Sequence, residues 1–299
     1  MKLRFWKTGP MGVSKAVLIT GCSSGIGRAT AERLARSGWT VYATARRLDT
    51  IAELERAGCR LLELDVTDEA SMRAAVARVE EAEGAVGVLV NNAGYSLSGA
   101  IETVPLDEVR RQFETNVFGL ARLCQLVLPG MRRQGFGRIV NVSSVGGRLV
   151  FPGGGFYHAS KHAVEAFSDA LRFEVQGFGV DVVVIQPGLI RTGFADAVVG
   201  TIADRSEDPA GPYDGFNQAV AATTVGAYRN GIGRTLGGGP ETVARAIERA
   251  ISAKTPHTRY RVTGSARLFL TLRRLLPDRL WDATVSRSFP QPKTDQPNP

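Results

Sequence analysis

Two side chains in this sequence are spaced to share a proton. Tyr157 and Lys161 stand four residues apart, so on a helix they lie on one face. A phenol in water titrates near pH 10, too high for acid–base work at neutrality. An ammonium beside it stabilises the phenolate and brings the group toward a usable range. A bare Tyr-x-x-x-Lys is common by chance, so other features must support it. His158 follows the tyrosine and His162 the lysine and they invite a shuttle role, but their spacing assigns them none. No His/Cys/Asp group has metal-ligand spacing, and no Ser-His-Asp order suits a hydrolase.

A second feature suits an anion. The run Thr20-Gly21-Cys22-Ser23-Ser24-Gly25-Ile26-Gly27 follows the apolar stretch Ala16–Thr20 and precedes a helical pattern from Arg28 to Ser37. Gly21 allows a tight turn, Gly25 a close approach of backbone to phosphate, and Gly27 close packing of helix on strand. The helix start then offers unpaired N–H groups and a partial positive charge.

The elements that must hold these residues alternate along the chain. Strands are expected at Val41–Ala45, Arg60–Leu64, Val86–Val90, Arg138–Val142, Val180–Ile185 and Tyr260–Val262. Helices are expected between them, the longest at Leu106–Met131 with a bend near Gly119 and at His158–Gln176. Thr67 is the expected N-cap of the helix that follows Asp65. Short apolar runs alternating with helices imply a parallel sheet. The expected fold is α/β, one doubly wound (Rossmann-type) domain, its sheet of about seven strands covered by helices on both faces. Residues 1–13 read as an N-terminal extension and 14–264 as a dinucleotide-binding catalytic domain. Within it, 191–239 is weakly periodic and reads as a substrate loop or lid. Residues 265–288 read as a C-terminal helical segment and 289–299, rich in proline, as a disordered tail.

Bulk properties exclude several classes. The 299 residues are 43% hydrophobic and 22% charged, with a net charge of +8. The basic excess shows none of the aromatic interleaving of nucleic-acid modules, so no nucleic-acid partner is expected. Cys22, Cys59 and Cys124 form no ladder, which suits a reducing cytoplasmic setting. No apolar run reaches the roughly 18 residues of a membrane span.

Taken in order, the motifs resemble the compact, single-domain branch of the short-chain dehydrogenase/reductase family. They are the Gly21-x-x-x-Gly25-x-Gly27 turn, Asp65-Val66, Asn91-Asn92-Ala93-Gly94, Asn116, Ser143-Ser144, Tyr157-x-x-x-Lys161 and Pro187-Gly188. The match is dense from Lys15 to Thr192. It implies hydride transfer between a nicotinamide and a carbonyl/alcohol pair, with Asn116, Ser144, Tyr157 and Lys161 as catalytic residues. Ser144 would bond the substrate oxygen, with Ser143 as the alternative, and Asn116 would hold a water that leads to Lys161. Asp65 and Val66 would meet the adenine. Asn92, Ala93 and Gly94 would line the cofactor path, with Asn91 adjacent to it. Pro187, Gly188 and Ile190 would back the nicotinamide and Thr192 would bind its carboxamide. Gly21, Ser23, Ser24, Gly25, Ile26 and Gly27 would cradle the phosphates.

The second strand ends Ala45-Arg46-Arg47, with no carboxylate before Asp49. NAD-selective sites place an acidic residue there, whereas an arginine pairs with a 2′-phosphate. NADP(H) is therefore the expected cofactor, held by Arg46 with Ser24 or Arg47 assisting. Substrate choice is expected from Tyr95–Gly99, Arg148–Phe156 and the 191–239 segment. Their Leu149, Val150, Phe151, Phe156, Phe194, Val198, Val199, Ile202, Tyr213 and Phe216 suggest an apolar ligand. The closest resemblance is to the hydroxysteroid and retinol dehydrogenase subgroup. The family implies a homodimer or homotetramer formed through the long helices. The basic amphipathic run Ala266–Pro277 is expected to cover the substrate mouth or a subunit contact in preference to a membrane surface. A catalytically silent NADP(H)-binding regulator on the same fold is the alternative function, against which the complete four-residue set weighs.

Overall fold

The computed structural model describes residues 13–203, 211–229, 231–289 and 291–292. The expected extension, apart from Val13, and most of the expected tail lie outside the described residues. Seven parallel strands form one sheet in the order β3-β2-β1-β4-β5-β6-β7. They are β1 (Val17–Ile19), β2 (Val41–Ala45), β3 (Arg60–Glu63), β4 (Val88–Asn91), β5 (Gly137–Val142), β6 (Val180–Pro187) and β7 (Arg259–Val262). The order turns back between β1 and β4, which opens a crevice at their carboxyl ends.

Alternation within each strand feeds two apolar layers. Val17 and Ile19 face α1 (Gly25–Arg36) and α10 (Pro240–Ser252), packing with Leu34, Val243 and Ile247. Leu18 and Leu89 face the other side, where α3 (Glu69–Glu83), α5 (Gly119–Gln134) and α6 (Gly155–Val175) supply Val76, Leu123, Val127 and Val164. The three cysteines are buried and unbonded. Burial pushes the thiols of Cys22, Cys59 and Cys124 up to about 12, 11 and 12.

The expected bend near Gly119 has a defined form. Helix α4 (Leu106–Phe113) runs into a π turn at Glu114–Phe118 before α5 begins. Two expectations are corrected. The helix after Asp65 is capped by Asp68, whose carboxylate accepts from Ala70 and Ser71 N–H; Thr67 instead donates to Asp65. Among its described residues the 191–239 segment is mostly helical and not a loop: it holds α7 (Phe194–Ala203), α8 (Asp214–Arg229) and α9 (Gly231–Leu236). Val198, Ile202, Phe216 and Val220 pack among themselves rather than on the sheet, which explains their weak periodicity. The C-terminal segment forms α11 (Gly264–Leu275) and α12 (Asp278–Val285), broken at Pro277.

Arg138, near the start of β5, ties α10 to the sheet. It is 3% exposed. It donates to the Ala250 and Ala253 carbonyls at 2.5 and 3.1 Å and pairs with Asp181 at 2.9 Å. Arg138→Met removes donors from two carbonyls at the end of α10. It is expected to lower the unfolding free energy by about 2–4 kcal/mol, read by denaturant titration.

Candidate active site

Thr20 follows β1 and fixes the glycine turn. Its Oγ1 accepts the N–H groups of Asn92 and Ala93, both at 3.0 Å. The Asn92 amide reaches back to the Thr20 and Gly21 carbonyls at 2.9 and 3.0 Å. The turn is sterically strict. Gly21 has φ +71, and a Cβ on it would lie 2.9 Å from Ala93 Cα. A Cβ on Gly27 would lie 2.2 Å from the Gly21 carbonyl oxygen. Helix α1 starts there with no acidic residue in its first turn and no side-chain cap from Ser24, so its first N–H groups suit an anion.

A cavity of about 500 Å³ runs along this turn. Gly21, Ser23, Ser24, Gly25, Ile26, Arg46, Asp65, Val66, Asn92, Ala93, Gly94, Pro187, Gly188, Ile190 and Thr192 line it, as do Ser144, Tyr157 and Lys161. Three expected residues stand back from the wall. Gly27 packs against Gly21 and does not reach the cavity. Asn91 bonds Asn141 at 2.9 Å inside the sheet. Asn116 is 1% exposed, behind Gly94. Arg47 pairs with Asp49, which leaves Arg46 as the arginine at that end of the cavity.

At the other end Tyr157, on α6, shares a hydrogen bond with Ser144. Ser144 caps the short turn Val145–Gly147, its Oγ accepting Gly146 N–H at 3.0 Å. Ser143 also lines the cavity, but its Oγ lies against Gly147 and not with Ser144, as neighbouring side chains on an extended strand end point different ways. Lys161 is buried on the same helix face and donates to the Val142 carbonyl at 2.9 Å. Its Nζ lies 5.9 Å from the Tyr157 ring centre. Asn116 sits in the π turn. Its amide donates to the Tyr95 carbonyl at 2.9 Å and to Ser160 Oγ at 3.1 Å, and its oxygen accepts Tyr95 N–H at 3.0 Å. It thereby ties the β4 turn to α6.

Burial modifies the expected titration. It raises the Tyr157 phenol above its ordinary value, and the Ser144 hydrogen bond offsets only part of this. Burial pushes Lys161 down to about 8, opposed by the charge of Glu165. Burial therefore holds the phenol protonated although the lysine amine lies 5.9 Å from its ring centre. The lysine also leaves a mark on stability. Below pH 8 the folded chain bears the cost of a buried cation, and that cost is relieved as pH climbs from about 8 toward 10.5. Lys161→Met carries no such dependence. Its stability advantage over the parent is expected to shrink across that window by roughly 2–3 kcal/mol, read by unfolding at stepped pH.

The substrate wall differs from expectation. Leu149 and Phe151 do not line the cavity; they pack under Ala266, Phe269 and Trp281 of the C-terminal helices. Phe156 packs with Leu97 and Val104. Two of the three expected segments do reach the cavity, through Tyr95 and Ser96 of the first and Ala197 and Tyr228 of the 191–239 segment. Tyr228, on α8, carries no motif and escaped the sequence reading. Burial and the neighbouring Tyr157 raise its phenol.

The cleft at the β1/β4 reversal, with the glycine turn at one end and a Ser–Tyr–Lys group at the other, defines a dinucleotide-dependent oxidoreductase of Rossmann type. Residues 15–202 match the family described as short chain dehydrogenase, and the chain belongs to that family. It is 38% identical over 267 residues to a 3-ketodihydrosphingosine reductase of Bacteroides thetaiotaomicron, covering 88% of this chain and 94% of the relative. It is 37% identical over 262 residues to human 17-beta-hydroxysteroid dehydrogenase type 1, covering 83% and 77%. A short-chain dehydrogenase structure from Streptomyces avermitilis superposes with a TM-score of 0.75 at 35% identity, covering 92% and 96%.

Proposed function

We propose that this protein is an NADP(H)-dependent reductase/dehydrogenase that interconverts a carbonyl and an alcohol on an apolar, lipid- or steroid-like molecule. The observation that carries it is the single cavity with Arg46 and the α1 start at one end and the Ser144–Tyr157 pair at the other. The donor set fits the cofactor: backbone N–H groups for the diphosphate, Arg46 for a 2′-phosphate, and Asp65 and Val66 for the adenine side. Pro187, Gly188, Ile190 and Thr192 would flank the nicotinamide. That group supplies or accepts the hydride when bound.

The protein's own residues handle the oxygen. Ser144 and Tyr157 present hydroxyls to it as negative charge develops, and Tyr157 passes it a proton. Burial keeps the phenol in the protonated form that carbonyl reduction consumes. Lys161 holds positive charge beside the phenol. Asn116 acts from behind Gly94, where its oxygen and Lys161 Nζ both approach that glycine. The names of the sphingosine- and steroid-directed relatives favour an apolar substrate over a small polar one. This reading includes a cytoplasmic homodimer or homotetramer. Phe118 and Phe173, 55% and 70% exposed on the long helices, are suited to a subunit contact. No described helix is long and apolar enough to cross a membrane.

The test is loss of NADPH absorbance with a panel of long-chain and polycyclic ketones, with NADH in parallel. Tight NADPH binding with silence across the panel would favour the regulator reading. Faster turnover with NADH would remove the cofactor assignment.

A further inference from the structure

His158 lies beside Tyr157 but does not line the cavity. It is 7% exposed, and both ring nitrogens have backbone partners. Nε2 accepts the Phe151 N–H at 3.2 Å. Nδ1 therefore carries the proton and donates to the Gly146 carbonyl, also at 3.2 Å. Burial holds the ring neutral, pushing its pKa down to about 4. A neutral imidazole committed on both sides has no free nitrogen for proton shuttling.

The ring is enclosed closely. A Cβ on Gly146 would lie 2.4 Å from Nδ1, and one on Gly154 would lie 2.9 Å from Nε2. Its edge meets Phe151 at 6.2 Å and Tyr157 at 5.6 Å. Phe151 in turn packs against Phe269 and Trp281 at 5.7 and 5.8 Å. Gly146 gives its N–H to Ser144 Oγ, and Ser144 bonds Tyr157. One imidazole thus grips both ends of the segment from Gly146 to Phe151.

We infer that His158 is a positioning residue: its neutral ring clasps residues 146–151 so that the Ser144 hydroxyl stays aimed at the substrate oxygen and the loop stays seated beneath the C-terminal helices. The inference rests on the reading of Ser144 and Tyr157 as the oxygen-binding pair. A merely structural histidine would affect the amount of folded protein. A clasp acts on the geometry of the folded site, where displacement by about 1 Å can cost two orders of magnitude in rate.

The experiment compares His158→Phe, His158→Gln and His158→Asn with the parent by steady-state kinetics, NADPH binding and thermal unfolding. His158→Phe keeps a ring and loses both hydrogen bonds. Its kcat is expected to fall about tenfold to a hundredfold and its carbonyl KM to rise, with NADPH affinity within about twofold. Gln restores an acceptor toward Phe151 and Asn a donor toward Gly146, so each is expected to recover part of the loss. A lower apparent kcat with both KM values unmoved reflects lost folded enzyme alone and overturns the inference, as do parental kinetics in His158→Phe. If that variant does not fold, parental kcat and KM in both Gln and Asn variants overturn it instead. A parent silent toward every carbonyl removes the functional reading and this inference with it; an active parent with indifferent variants removes only the inference.

Discussion

Replacing Tyr157 by phenylalanine is expected to lower turnover by about a thousandfold or more while NADPH binding stays intact. The phenyl ring fills the same space on α6, so the cavity wall and the Lys161–Val142 hydrogen bond are preserved. What is lost is the proton. Ser144 still offers a hydroxyl to the substrate oxygen, and its backbone partner Gly146 remains. Tyr95 and Tyr228, whose phenols burial also raises, are further tyrosines on the cavity wall, so Tyr95→Phe and Tyr228→Phe serve as controls for rescue by a second phenol. Because burial raises the Tyr157 phenol, carbonyl reduction by the parent should be level through neutrality. It should fall as alkaline pH removes the donated proton. Undiminished turnover in Tyr157→Phe, measured by NADPH consumption, would refute the mechanism.

The second large effect concerns the cofactor. Arg46→Asp is expected to move the NADPH-over-NADH preference by about a thousandfold toward NADH. A charge-assisted hydrogen bond to phosphate contributes roughly 1.5–3 kcal/mol, and a carboxylate in its place repels the same group. Each 1.4 kcal/mol is about tenfold in binding. Arg46 is exposed on the cavity wall, on the side that Asp65 shares. Arg47 is already engaged with Asp49, so Arg47→Ala should shift the preference only slightly. Comparing kcat/KM for both nucleotides in the two variants decides the point. An unchanged ratio in Arg46→Asp would place the selectivity elsewhere.

Where the chain relies on local rules, its sequence reveals it. Val17-Leu18-Ile19 and Ile139-Val140 read as strands because both faces are buried. The glycine turn was legible because Gly21 and Gly27 have no room for a side chain. Most residues of the cavity wall were legible, since they sit at strand ends whose positions the alternation fixes. What was hidden depends on tertiary packing. Helix α8 contains Thr223, Thr224 and Gly226, poor helix formers, and it buries its apolar side against α7 and not the sheet. Tyr228 reaches the cleft only because of that packing. Leu149 and Phe151 looked like a ligand pocket, yet the C-terminal helices cover them. The raised Tyr157 phenol was hidden too, because spacing shows the neighbouring lysine but not how dry the site is.

The π turn at Glu114–Phe118 has one more consequence. An α-helix that takes in an extra residue there swings everything on either side out of phase, so α4 and α5 face their neighbours with different stripes. Deleting one residue would restore an unbroken rod with a full ladder of hydrogen bonds. It would also turn Asn116 away from Tyr95 and Ser160 and cut the strap between two halves of the molecule. Engineering for heat tolerance that rewards regular helices alone would erase this kink first, and with it the alignment on which the proposed chemistry depends.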